Sequence, residues 1–143
     1  MDCDVLRSRC VRTFAGPLLA ALGLAIFVGP MPAHAEGFPF GHELLLDASP
    51  MRGSKKVPML DIGDAGTAEI ELWCNSVKAQ LVVAGATITI ITGEPSARQC
   101  APDRARADDD LLAALNGVTN WRKERSALVL TGSRTLRFRP PSN

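Results

Sequence analysis

The segment EIELWCN at residues 69–75 is the part of this chain on which the fold prediction rests. Apolar and charged side chains alternate through its first residues, which is typical of a strand with one buried face. The strand runs into Cys74, and a second cysteine, Cys100, follows beyond the next predicted hairpin. We therefore predict a small β-domain in which these two cysteines form one disulfide.

The amino-terminal segment has the pattern of an export signal. Residues 1–35 begin with a basic region containing three arginines, continue through the uncharged apolar run 14–28, and end in Ala-His-Ala. This order predicts a secretory signal peptide with cleavage after Ala35, and an uncleaved amino-terminal anchor is the alternative. The apolar run is shorter than the roughly 20 residues that a transmembrane helix needs. We expect a periplasmic or secreted protein.

Export changes the interpretation of the cysteines. Cys3 and Cys10 would leave with the signal, so that Cys74 and Cys100 remain in the mature chain. Oxidising compartments preserve disulfides, and this loop closure would contribute about 3–4 kcal/mol in the chain-entropy model. A pair of buried free thiols is the alternative. With His42 as the single mature histidine, the chain lacks the ligands of a structural zinc site, and we expect neither metal nor cofactor.

The charge balance excludes some classes of partner. The whole chain carries 16 basic and 15 acidic residues, and removing the three arginines and two aspartates of residues 1–35 leaves 13 of each sign. A neutral domain favours neither nucleic acid nor an anionic membrane as partner. We expect a monomer without stable membrane insertion after signal cleavage.

Short alternating segments predict an antiparallel sheet over a single domain at 36–143. The predicted strands cover residues 41–47, 57–62, 68–73, 77–84, 87–92, 120–124, 127–131 and 135–139. Strands that surround one helix indicate a mainly β (α+β) fold, with a compact antiparallel barrel-like sheet and one packed helix near 108–118.

The helix prediction rests on Leu111, Leu112, Leu115 and Val118, which recur at helical spacing. Three consecutive aspartates precede them, and we predict that Asp108 is the N-cap residue, after a loop over 93–107. A calcium site is the functional alternative for the aspartates, but the spaced oxygen ligands of a calcium loop are missing.

Several motifs together resemble a known family. They are an opening glycine and apolar strand at 41–46, a strand into a Cys-Asn pair at 70–75, a second cysteine at the end of 96–100, an acidic helix at 108–118 and closing strands at 127–138. In this order they resemble the META domain family, also called the HslJ-like family. The sequence departs from the family pattern at Trp73, Glu43 and Ser96.

The resemblance implies a barrel-like domain of an envelope or secreted protein linked to stress, drug tolerance or virulence, without established enzymatic activity. We expect a non-enzymatic protein that contributes to stress or antibiotic tolerance by binding an unidentified envelope protein or small molecule. The alternative is a secreted or periplasmic inhibitor of a protease or lysozyme, because small inhibitors of that kind are also disulfide-linked β-barrels.

No catalytic constellation is visible in the sequence. His42 has no signature that pairs it with a nucleophile. Glu69 and Glu71 share a strand face, as paired carboxylates of a glycosidase would, but charged positions alternating with apolar ones are ordinary on a solvated face. The cysteines are not a C-x-x-C pair, so a structural disulfide is favoured over redox chemistry. We predict that the protein is not an enzyme.

A candidate binding surface combines exposed aromatic, amide and cationic side chains. Each has a structural alternative: the tryptophans would cover a barrel mouth or pack under the helix, the asparagine would bond the local backbone, and the arginines would keep an edge soluble. As a functional surface, the arginines would offer a cationic patch to an anionic partner such as lipopolysaccharide or an acidic protein. The candidate residues are Trp73, Asn75, Trp121, Arg122, Arg137 and Arg139.

Overall fold

The computed structural model describes residues 37–142, so the predicted signal peptide, its cleavage site and Cys3 and Cys10 lie outside the described residues. Within that range the chain forms a closed antiparallel barrel of eight strands and one helix, which confirms the mainly β prediction. The strands are β1 (His42–Leu46), β2 (Met59–Ile62), β3 (Thr67–Glu71), β4 (Ser76–Ala84), β5 (Thr87–Thr92), β6 (Val118–Glu124), β7 (Ala127–Gly132) and β8 (Thr135–Arg139), and the helix is α1 (Pro102–Asn116).

Each strand of the barrel pairs with its sequence neighbour, and β8 closes the barrel on β1. The closure is short, with register pairs only at Leu45↔Arg139 and Leu46↔Phe138. The β5–β6 contact is shorter still, with a single pair at Thr87↔Asn120. The helix α1 lies in the connection between these two strands and packs against β5. The closed barrel therefore has its fewest strand pairs between β5 and β6, where the helix is inserted.

Alternating side chains fill the barrel interior. Leu60, Ile62, Ile70, Leu130 and Phe138 are each 1 % exposed or less. An eight-stranded barrel is just wide enough for side chains to fill it, so its interior is a core rather than a channel. Each fully buried side chain of this size contributes about 1.5–3 kcal/mol of transfer free energy.

The helix begins and ends earlier than the sequence pattern predicts, since it stops at Asn116 and Val118 belongs to β6. It starts at Pro102 after the N-cap residue Ala101, and the predicted loop over 93–107 is wrong from Pro102 onward. Proline favours the first helical turn because its fixed φ suits the helix and its missing N–H is not needed there. Asp103 in the same turn interacts favourably with the helix dipole. Within residues 37–142 no helix has the length and apolar character needed to cross a membrane.

The strand that leads into Cys74 also ends earlier than predicted. β3 stops at Glu71, and the chain then turns, with the Leu72 N–H donating to the Asn75 carbonyl at 2.8 Å. Leu72 is fully buried, whereas Trp73 is half-buried and packs against the core. Trp73 therefore belongs to the turn after β3 and does not share the outer strand face of Glu69.

Candidate functional site

A buried carboxylate joins the turn after β3 to the helix. Asp108 on α1 is only 3 % exposed. Its Oδ1 accepts the Cys74 backbone N–H at 3.1 Å, and its Oδ2 accepts the Asn75 backbone N–H at 2.9 Å and the Asn75 Nδ2 at 3.1 Å. Three neutral donors thus replace the water that this carboxylate loses on burial, which is what makes its burial tolerable.

The Asn75 side chain adds a third segment to this arrangement. Its Oδ1 accepts the Ser96 hydroxyl at 3.3 Å and the Arg98 backbone N–H at 3.1 Å, and its Nδ2 also lies 3.1 Å from the Cys100 Sγ. One asparagine therefore connects the turn after β3, the loop before α1 and α1 itself. We call Cys74, Asn75, Ser96, Cys100 and Asp108 the Asn75 cluster.

The two cysteines of the Asn75 cluster form the predicted disulfide. Their Cα atoms are 6.0 Å apart, which is within the usual range for a disulfide. The Cys74 and Cys100 sulfurs and an Asp108 oxygen lie within 4.8 Å of one another, a spacing that would suit a metal ion. In this structure the sulfurs are bonded to each other and the carboxylate accepts N–H donors, so the three groups act as a crosslink.

The role of Asp108 differs from the prediction. Because the helix begins at Pro102, Asp108 is an interior residue and not the N-cap, and it faces the barrel with Leu111 and Leu115. These residues follow the i, i+3, i+7 spacing of one helical stripe. Extending the apolar stripe backward from Leu111 places Asp108 on the buried face, so the signal is present in the sequence.

A groove lies at the barrel mouth between α1 and the ends of β1 and β8. Its volume is about 380 Å³. The floor of the groove is apolar and is formed by Leu46, Leu111 and Leu136, each of which is 8 % exposed or less. The half-buried side chain of Trp73 also lines the groove. We call it the mouth groove. Its full lining is Leu46, Asp47, Ala48, Trp73, Ala107, Asp110, Leu111, Ala114, Arg134, Thr135, Leu136 and Arg137.

The rim of the mouth groove carries two kinds of charge. Asp47 and Arg137 form an ion pair with each other, at 3.6 Å between Oδ2 and Nε. Arg134 and Asp110 are both exposed, and neither takes part in an ion pair among residues 37–142. The groove therefore presents one uncompensated cation and one uncompensated anion above an apolar floor.

The two tryptophans of the candidate surface lie at opposite mouths of the barrel. Trp121 stacks edge-to-face on Phe38 with ring centroids 5.0 Å apart, and its Nε1 donates to the Gly85 carbonyl at 2.8 Å. Gly85 precedes the start of β5, whereas the mouth groove and α1 lie near its end, where Thr92 Oγ1 donates to Asn116 Oδ1 at 2.9 Å. A strand of this length separates its ends by about 17 Å.

The arginines of the candidate surface belong mainly to an ion-pair chain on the outer wall. Glu124 forms ion pairs with Arg122, at 2.7 Å, and with Arg137. Hydrogen bonds from these two arginines lower the pKa of Glu124, and the bond from Arg122 has the larger effect. Asp47 pairs with Arg137 and, at 3.5 Å, with Arg139. The predicted cationic patch is thus interleaved with carboxylates, and we call this arrangement the wall ion pairs.

The wall ion pairs cover an outward-facing apolar residue. Val129 stands between Arg122 and Arg137 in the strand register, yet it is only 2 % exposed. The aliphatic stems of long cationic side chains cover apolar surface while their charged ends stay in water. The arginines therefore shield the sheet in addition to forming ion pairs, and only Arg137 also reaches the mouth groove.

The residues considered and not favoured for catalysis lie apart from the mouth groove and the wall ion pairs. His42 is exposed at the start of β1, with its Nδ1 2.7 Å from the Phe40 carbonyl oxygen. Glu71 forms an ion pair with Lys56, and Glu69 is exposed on the outer face of β3. Within residues 37–142, none of these three side chains forms a hydrogen bond with a serine or cysteine side chain.

Comparisons with known proteins identify a family and a similar fold. A family model described as the META domain matches residues 43–142. No curated protein matches the chain. A protein structure determined by NMR is similar to it with a TM-score of 0.53 and 17 % sequence identity, over 69 % of this chain and 88 % of the other. At that identity the likeness shows the fold alone.

Proposed function

Because the chain belongs to the META domain family, we propose that it is an exported, non-enzymatic envelope protein that acts by binding a ligand in the mouth groove. In this proposal the binding event contributes to stress or antibiotic tolerance. The export and the tolerance role follow the family and the amino-terminal sequence pattern, whereas the location of the site rests on the structure.

The mouth groove is the observation that carries the proposal. The barrel interior is filled by side chains, so a ligand has no channel to enter, but about 380 Å³ stays open between α1 and the strand ends. Small-molecule and peptide sites are concave and largely apolar, with a few charged groups that fix orientation, and the mouths of β-barrels are common places for them. The groove is concave, its floor is apolar and its rim carries charged groups.

The Asn75 cluster supports the proposal because it holds the groove walls in place. Asp108 anchors the turn that carries Trp73 to α1, which supplies Ala107 and Leu111 to the same groove. Walls that are fixed before a ligand arrives lose little conformational entropy on binding. On this interpretation the Cys-Asn motif positions the site and does not itself contact the ligand.

A matched pair of helix substitutions tests the proposal in cells. Ala107 lines the mouth groove, whereas Ala113 is exposed on α1 and does not line it. Ala107→Trp should fill the groove, and Ala113→Trp places the same side chain on the same helix outside it. A deletion strain would be complemented with each full-length variant, and its survival measured across antibiotics, heat and envelope-damaging agents.

We expect Ala113→Trp to restore survival and Ala107→Trp to fail at equal exported protein levels. Full complementation by Ala107→Trp would contradict a role for the groove. A deletion strain that survives every stress as the parent does would contradict the tolerance role. Affinity capture from native envelope extract completes the test, since stoichiometric recovery of a protease or lysozyme through another surface would replace the proposal with inhibition.

A further inference from the structure

The mouth groove is bordered by a strand edge that has open backbone groups. The Asp47 N–H donates to the Arg137 carbonyl at 2.8 Å, and this is the last β1–β8 contact on the groove side. Toward the start of β8, Thr135 and Leu136 pair with β7 on one side and have no partner strand among residues 37–142 on the other.

The direction of these backbone groups follows from the antiparallel geometry. The N–H and C=O groups of one residue point to the same side, and the side alternates along the strand. Since the Arg137 carbonyl points toward β1, the N–H and C=O of Thr135, two residues earlier, point the same way. Thr135 and Leu136 both line the mouth groove, so this open edge lies in its wall.

From these features we propose that the ligand of the mouth groove is a short, extended peptide with apolar side chains and with opposite charges at its two ends. The inference rests on the proposed function and names the ligand class for the same site. The peptide backbone pairs with the β8 edge at Thr135, and an apolar side chain packs on the floor beside Trp73. Its carboxylate lies toward Arg134 and its ammonium group toward Asp110.

The backbone, the apolar side chain and the charged ends of the peptide each match a separate feature of the groove. An open strand edge recognises an extended backbone through hydrogen bonds, and the neighbouring pocket selects a side chain. An amphiphile without peptide groups would leave the Thr135 backbone unpaired. The two rim charges lack ionic partners among residues 37–142, and their opposite signs fit a zwitterion better than a plain anion or cation.

A series of four peptides with one apolar body tests the charge assignment. The probes are Leu-Leu-Leu, its carboxy-terminal amide, its N-acetyl form and its N-acetyl amide, titrated calorimetrically into protein exported and purified from the full-length sequence. We expect the zwitterion to bind tightest and each neutralised end to weaken binding about two- to five-fold, the range for exposed ion pairs. In Arg134→Gln the penalty for the amide should vanish, and in Asp110→Asn the penalty for acetylation should vanish.

N-methylation of the peptide tests the strand pairing. Because N–H directions alternate along an extended chain, only one of the two internal amides of Leu-Leu-Leu faces the β8 edge. Methylating that amide should weaken binding about five-fold, and methylating the other should change little. Equal effects of the two methylations would overturn the strand-pairing assignment.

The remaining outcomes separate this inference from the proposed function. Equal binding of all four peptides would overturn the charge assignment, and binding that survives Ala107→Trp would overturn the location. If no peptide binds while Ala107→Trp still fails to complement the deletion strain, the peptide assignment is wrong and the groove keeps its function. If no peptide binds and Ala107→Trp complements fully, both proposals fail.

Discussion

The Asn75 cluster and the wall ion pairs are both polar networks, but they differ in burial and in the charge of their donors. In the Asn75 cluster, Asp108 is 3 % exposed and accepts three neutral N–H groups. In the wall ion pairs, Glu124 faces two guanidinium groups while its side chain and that of Arg122 stay 41 % and 54 % exposed. The exposed network carries more formal charge, and the buried one has far less access to water.

Solvent access, more than formal charge, therefore sets how strongly this fold depends on each network. Exposed ion pairs contribute about 0–1 kcal/mol because water and salt screen them. Removing a buried carboxylate leaves its N–H donors without an acceptor in a place that water reaches poorly, which costs about 1–3 kcal/mol for each unsatisfied donor. We therefore expect substitutions in the Asn75 cluster to have large effects and substitutions in the wall ion pairs to have small ones.

The largest expected effect comes from Asp108→Ala. The change leaves the backbone N–H groups of Cys74 and Asn75 and the Asn75 Nδ2 without their carboxylate. We expect the free energy of unfolding to fall by about 3–5 kcal/mol. Urea denaturation followed by circular dichroism measures it. Asp109→Ala is the matched control, since Asp109 is the exposed neighbour on α1 and should change stability by about 0.5 kcal/mol or less. Equal effects of the two substitutions would contradict the comparison.

The next effect comes from removing the disulfide. The Cys74→Ala, Cys100→Ala double variant frees a loop with a sequence separation of 26, and the chain-entropy model gives a loss of about 3.5 kcal/mol. The same denaturation experiment measures it, with wild-type protein in the presence of a reductant as a second route to the open loop. If neither the reductant nor the substitutions lowered the urea midpoint, the disulfide would not be what stabilises the segment between residues 74 and 100.

The smallest effect belongs to Glu124→Gln in the wall ion pairs. The pKa of Glu124 is lowered from 4.5 by the hydrogen bonds of Arg122 and Arg137, so its ionised form is favoured in the folded state. Its contribution is present above the ordinary pKa and is lost as pH falls through the lowered value. We expect the wild-type protein to be slightly more stable than the variant at neutral pH, because the ionised carboxylate keeps its two arginine partners. On acidification below about pH 4.5, the wild-type protein should lose slightly more stability than the variant.

Salt provides the control for this last prediction. Because the wall ion pairs are exposed, molar salt should remove the difference between the wild-type protein and Glu124→Gln in how their stability depends on pH. A large loss of stability in Glu124→Gln at neutral pH would mean that the outer wall contributes as much as the buried cluster, which would reverse the comparison.

Much of the barrel is predictable from the sequence because its strands alternate cleanly. The predicted strand at 87–92 has the same bounds as β5, and the hairpin that joins it to β4 follows from turn residues. The helix start is harder to predict, because Pro102 fits a loop secured by Cys100 as well as a first helical turn. Periodicity shows which elements form, whereas the start of this helix depends on choosing between two roles of one proline.

The candidate site is harder to predict than the barrel. The sequence points to Trp73, Asn75 and Arg137, but their separate roles depend on the turn after β3 and on which carboxylates lie nearby. Pairings such as Asn75 with Asp108 span 33 residues and follow no local pattern. The mouth groove itself comes from the way α1 covers only part of the barrel mouth, which the sequence pattern does not specify.

Amide hydrogen exchange in Asp108→Ala would show whether this carboxylate holds the Trp73 turn against α1. NMR would follow exchange at Cys74, Asn75 and α1 in the variant and in wild-type protein, with the β7 amides as the internal reference. We predict that protection at Cys74 and Asn75 is lost and that α1 exchanges faster relative to β7. Unchanged protection at Cys74 and Asn75 would contradict the claim.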